Sequence, residues 1–127
     1  MSKKRRTLKK GYIYLIQATD NETSEATGYY KVGMTDDKKQ RLDNLQTGNP
    51  FYLKMIHCTK RQVVASRETD AHKEFEEDEN IEKCIDSQGG GKEWYYTEEK
   101  EDYVKEVFRD GVEVATEDVN MDAHGWT

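Results

Sequence analysis

No apolar run in this chain approaches the roughly 18 residues that a membrane span needs, and its basic start lacks the apolar stretch of a secretory signal. Cysteine is nearly absent. Cys58 and Cys84 are the two, without metal-site spacing, and they read as free thiols of a reducing intracellular compartment (bacterial cytoplasm, or a host cell for a virus-encoded protein). There is no internal repeat and no low-complexity segment. Apolar residues are scarce too, 34% against 36% charged, with a mean hydropathy of −1.09. A 127-residue chain of that make-up predicts one small domain, with a core of about 90 to 100 residues and exposed ends.

Net positive charge is also missing. Twenty Lys and Arg stand against 26 Asp and Glu, a balance of −6 that argues mildly against a nucleic-acid partner. The distribution argues the other way. Lys3, Lys4, Arg5, Arg6, Lys9 and Lys10 crowd the first ten residues, while Glu74 to Glu79 and the stretch after Arg109 are acidic. Such an arm can meet DNA while the acidic segments face away; a solubilising tail accounts for it equally well.

What the chain does have is tyrosine in strand-like patterns. Gly11-Tyr12-Ile13-Tyr14-Leu15-Ile16 opens a strand over 11–18, and Gly28 to Met34 forms its partner across a polar loop. Thr35 or Asp36 is placed to cap a helix over Asp37 to Gln46, with Leu42 and Leu45 inward and Gly48 and Pro50 as its stop. Phe51 to Thr59 is a third strand. Gln62 to Phe75 is the best helix, with Val64, Glu68, Ala71, His72 and Phe75 on one stripe. After the Gln88-Gly89-Gly90-Gly91 loop comes a short aromatic strand at Glu93 to Tyr96. Thr97 then caps a last helix running to about Arg109, with Glu98 and Glu99 at its positive end. The plan is α+β: a small mixed sheet that begins with an antiparallel hairpin, flanked by three helices. Residues 1–10 read as a basic flexible arm, 11–109 as the domain and 110–127 as an acidic tail, frayed unless Val112 to Val114 pair as an edge strand.

Glu68 is the sharpest anomaly, a carboxylate on a stripe that should be apolar. A structural pair with His72 or a core lysine and a metal carboxylate at the base of a cleft explain it equally well. Tyr14 shares a face with Tyr12 and Ile16; it is a packed sheet tyrosine unless a neighbour such as Lys31 activates its hydroxyl. Arg41 and Lys38, on the turn overhanging the hairpin, are by themselves a solvated helix face.

Their order and spacing resemble the GIY-YIG nuclease superfamily over about residues 11 to 108. The closer resemblance is to its phage-type, DNA-binding or nuclease-like branch, related to the meiotically up-regulated gene family. The half-motifs are Ile13-Tyr14, with Gly11 upstream, and Lys31-Val32-Gly33, followed by Met34-Thr35. The helix arginine falls on Arg41, in Gln40-Arg41-Leu42, and Leu45 to Pro50 is similar to that branch's helix end. The metal glutamate falls on Glu68, in a Glu-x-x-x-His-x-x-Phe pattern with His72 and Phe75, and Glu93-Trp94-Tyr95 is similar to the closing aromatic strand. Two positions depart from the pattern: the second tyrosine is Lys31, and the histidine that many members carry one turn after the arginine is Leu45.

The resemblance implies metal-dependent hydrolysis of DNA phosphodiesters. Glu68 holds one Mg²⁺ or Mn²⁺, Tyr14 beside Lys31 acts as general base, Arg41 stabilises charge on the phosphate, and His72 orients Glu68 or a water. Lys38 and the basic arm contact the DNA backbone. A chain this short has little room for a reader domain, so targeting by a homo-oligomer or a separate specificity partner is expected. A DNA-binding module that keeps the fold without cleaving, and an interaction protein with an acidic surface, are the rival readings.

Overall fold

The computed structural model describes residues 10–63, 65–84 and 94–122. Its sheet is built around the first strand, β1 (Lys10–Thr19). The polar loop that follows is held by Asp20, whose carboxylate accepts the Glu22 and Thr23 N–H groups at 2.7 and 3.0 Å. β2 (Ala26–Thr35) returns antiparallel, in a register that sets Tyr14 opposite Gly33 and Ile16 opposite Lys31. On the other side of β1 lie β3 (Tyr52–Thr59) and then the two residues of β4 (Gln62–Val63), which pair with Lys10 and Gly11. β5 (Glu82–Lys83) and β6 (Trp94–Tyr96) extend the sheet beyond β2, and β7 (Thr116–Asp122) lies outside β3.

The α+β class and the opening hairpin match the expectation; the expected mixed sheet does not, because every strand pair described is antiparallel. The connections explain this. The helix between β2 and β3 carries the chain over β1, so these two strands run the same way with an opposed strand between them.

That helix, α1 (Lys38–Gln46), is capped by Asp37 rather than by Thr35 or Asp36: the Asp37 carboxylate accepts the Gln40 N–H at 3.0 Å. Thr35 still belongs to β2, and its hydroxyl accepts the Asp37 N–H. Gly48, at φ 77°, takes the left-handed position just past the helix end. α2 (Ala65–Glu77) starts later than the pattern indicated because Gln62 and Val63 pair with β1. α3 (Glu101–Val112) also starts later: Thr97 accepts the Glu99 N–H and donates to the Asn80 carbonyl, closing the turn ahead of the helix. Glu101 and Asp102, not Glu98 and Glu99, occupy its positive end. Part of the stretch expected as a frayed tail forms β7, whose Val119 and Met121 pack inward. The arm at 1–9, Val64, the Gln88–Gly91 loop and Glu93 lie outside the described residues; Lys10 opens β1 and is exposed.

Strand alternation gives the sheet two apolar faces. Ile13, Leu15, Tyr30, Val32, Ile56 and Tyr95 pack with Ala71 and Phe75 of α2 and Val104, Val107, Phe108 and Val112 of α3. Tyr14, Ile16, Ala18, Leu53, Met55 and Cys58 pack under Leu42 of α1. Both faces of β1 are therefore buried, and this central strand fixes everything around it.

β7 is fastened by His57, which is buried, with Nδ1 2.8 Å from Asp118 and Nε2 2.8 Å from the Thr116 hydroxyl. Burial holds the imidazole below its usual pKa, against the opposing pull of Asp118. The unfolded chain therefore takes up this proton more readily than the folded one. Stability from this group is complete above about pH 6.5 and falls as the pH drops below it. Melting temperature should decline from about pH 7 to 5.5, and His57→Gln, which cannot titrate, should flatten that decline. A slope unchanged by the substitution would show that His57 is not the acid-sensitive group.

Candidate functional site

Alternation along the first two strands, with α1 above them, brings four of the expected residues to one face. Tyr14 has no exposed surface; its hydroxyl meets Arg41 Nη1 at 3.3 Å. The contact is close because Gly33 lies opposite: a Cβ there would run into the phenol, 2.6 Å from Cζ. Here glycine is required by space, not by φ. Lys31, two pairs further along and so on the same face, is buried, with its ammonium 5.8 Å from the Trp94 ring centroid. Lys38 and Arg41, three residues apart, share one side of α1 and overhang the same face.

Lys38 sits 4.4 Å from the centroid of the Tyr12 ring and 3.7 Å from Cys58 Sγ. Burial pushes the Cys58 thiol up, so the ammonium meets a neutral sulfur. Arg61 approaches the same tyrosine, its guanidinium carbon 5.9 Å from the centroid. Tyr12 and Arg61 were not among the candidates from sequence. The alternation that pairs Tyr12 with Tyr14 was legible; the return of Arg61 to Tyr12 depends on β4 pairing with the start of β1.

Glu68 and His72 are placed differently. They lie on the partly exposed flank of α2, with side-chain exposures of 21% and 19%, while Ala71 and Phe75 take the buried stripe. Glu68 is therefore not the fully buried carboxylate that the pattern indicated. A separation of four residues sets it 3.4 Å from His72 Nε2, and His72 Nδ1 is 2.6 Å from the Tyr95 hydroxyl. Tyr95 belongs to the α2/α3 side of the sheet and Tyr14 to the α1 side. The structure thus brings Tyr14, Lys31 and Arg41 together on one face and pairs Glu68 with His72 over the other. α2 starts directly after β4, at the end of the sheet where Tyr12 and Arg61 lie.

A family model matches residues 11–112, the T5orf172 domain. The chain belongs to the T5orf172 domain family. These domains are phage-associated and occur in GIY-YIG-like and nuclease-like proteins. No curated protein and no solved structure shows a significant match to the chain. The match to this T5orf172 domain begins at Gly11 and ends at Val112, so it takes in both faces of the sheet, all three helices and every candidate residue from Tyr14 to His72. Among its described residues, no helix is long and apolar enough to cross a membrane.

Proposed function

We propose that this T5orf172 domain binds DNA on the Tyr14–Arg41 face and hydrolyses a phosphodiester there, as a GIY-YIG-like endonuclease. The contact between Arg41 Nη1 and Tyr14 Oη, 3.3 Å long, carries the reading. A guanidinium is the side chain best shaped to grip a phosphate. A phosphate gripped by Arg41 comes within reach of the Tyr14 hydroxyl, because the same group already touches it. Tyr14 would act as the phenolate, its own proton lost to solvent before the step and its charge held by the Arg41 guanidinium. Its Oη would then accept the proton of the attacking water. Arg41 would hold the charge that builds on the phosphate, with Lys31 as a second cation on the same face. Lys38 and Arg61, bracketing Tyr12, would hold backbone phosphates beside it, and Lys3 to Lys10 would add affinity without sequence preference.

Among the described residues, no group of three or more His, Cys, Asp or Glu side chains is placed to hold a metal ion. A closed protein cage for a cation does not fit. A cation shared with the substrate asks less of the protein, since Mg²⁺ keeps most of its shell as water and phosphate oxygens and needs only one or two carboxylates. Glu68, partly exposed and paired at 3.4 Å with His72, is the carboxylate that would hold Mg²⁺ or Mn²⁺, which would supply positive charge to offset that building on the phosphate. His72, anchored on Tyr95, would keep Glu68 oriented.

The second reading is a DNA-binding module that does not cleave. The full burial of Tyr14 and the placement of Glu68 over the other sheet face favour it. Incubation with supercoiled plasmid, with Mg²⁺ or Mn²⁺ and with a chelator, separates the two. Cation-dependent nicking is the result expected. Salt-sensitive retention of DNA without nicking supports the module, and neither nicking nor retention removes both readings.

A further inference from the structure

Among the described residues, Tyr29 is the single large hydrophobic side chain that is exposed, at 36%. It is not isolated. Its ring lies 6.1 Å from that of Phe51, nearly parallel at 22°, and 5.0 Å from that of Tyr96. Phe51 and Tyr96 are half-buried, so the three rings form one partly exposed platform. Phe51 also forms the wall of a cavity of about 440 Å³, lined in addition by Asn21, Gln46, Asn49, Pro50 and Tyr52. Not one of those side chains is charged.

The cavity is firmly built. Gln46 donates to the Phe51 carbonyl at 2.7 Å and accepts the Leu53 N–H at 2.8 Å, locking the start of β3 to the end of α1. The Asn49 carboxamide oxygen accepts the Phe51 N–H at 2.9 Å, which leaves its amide nitrogen as a donor for a ligand. Tyr29, Lys31 and Gly33 follow one another on the same face of β2, so the platform lies about 13 Å along the strand from the level of Tyr14.

We infer that this platform and cavity receive an unpaired nucleobase of the DNA strand whose backbone is held at Arg41. The inference rests on the DNA reading given above. An aromatic surface beside uncharged amides suits the π face and hydrogen-bonding edge of a base, and the absence of charge excludes the phosphate. The cations of the same face lie further along, at Lys31, Arg41, Lys38 and Arg61, where phosphates belong. A base inside a duplex cannot stack on a protein ring, so the preferred substrate carries a single-stranded overhang, flap or gap.

The test is a DNA duplex with a single-stranded overhang containing 2-aminopurine, compared with the same duplex fully paired. Affinity is followed by anisotropy and stacking by quenching of the 2-aminopurine fluorescence. The wild-type protein should quench the probe and prefer the overhang. Tyr29→Leu should weaken overhang binding on the order of tenfold and abolish quenching without changing affinity for the paired duplex. Tyr29→Phe, which keeps the ring, should behave as wild type. Melting curves establish that the variants fold. Binding without quenching, or equal overhang affinity in Tyr29→Leu, overturns the inference and leaves the DNA reading standing. Failure to bind either DNA overturns both.

Discussion

Glu68→Gln is expected to abolish cation-dependent cleavage while the protein still folds and still binds DNA. The amide keeps the size of the side chain and its hydrogen-bonding capacity, but loses the charge that attracts a divalent cation. Stability should change little. Glu68 stands at the solvent margin, with 21% of its side chain exposed, and its 3.4 Å contact with His72 is a long, partly screened pair worth about 1 kcal/mol. The competing account makes Glu68 half of a structural pair, whose loss costs on the order of 3 kcal/mol when fully buried. Thermal melting beside a plasmid-nicking assay separates the two. A variant that melts far earlier than wild type, or that nicks as fast, refutes the role given to Glu68.

Gly33→Ala should have a large effect for the addition of a single methyl group. The added carbon would sit 2.6 Å from Tyr14 Cζ and closer still to the hydroxyl, and Tyr14 is fully buried. Overpacking of this kind costs about 1–3 kcal/mol. It would also push the phenol away from Arg41, and a displacement near 1 Å at a reacting group can cost roughly 10²-fold in rate. Earlier melting together with a drop in cleavage is the expected pair of results. Wild-type melting and wild-type cleavage in Gly33→Ala would mean that the Tyr14–Gly33 fit is not a constraint.

Much of this was legible in the sequence. The Tyr12-Ile13-Tyr14-Leu15-Ile16 alternation assigns β1 both its faces, and the Gly28 to Met34 run returns beside it, so the hairpin follows from period-two patterning alone. The placement of Arg41 over Tyr14 follows once α1 is known to cross that face, since Arg41 stands beside the inward Leu42. Other features depended on contacts between distant segments. Gln62 and Val63 fit a helical stripe as well as a strand, and only their pairing with Lys10 and Gly11 decides the matter. β7 is mostly polar because it lies at the outer side of the sheet, so the composition of residues 116–122 reads as tail. The periodicity of α2 is too coarse to separate a buried stripe from its flank. That is why Glu68 was expected inside and stands at the margin with His72.

Tyr14 is the group that would act on a DNA phosphate. The most direct measurement is nicking of supercoiled plasmid by the wild-type protein and by Tyr14→Phe, each with Mg²⁺ or Mn²⁺ and with a chelator. The phenylalanine keeps the buried ring and loses the oxygen that Arg41 touches. Cation-dependent nicking by the wild type, and none by a Tyr14→Phe variant that melts normally, is the predicted result. No nicking by the wild type, or equal nicking by both, would contradict it.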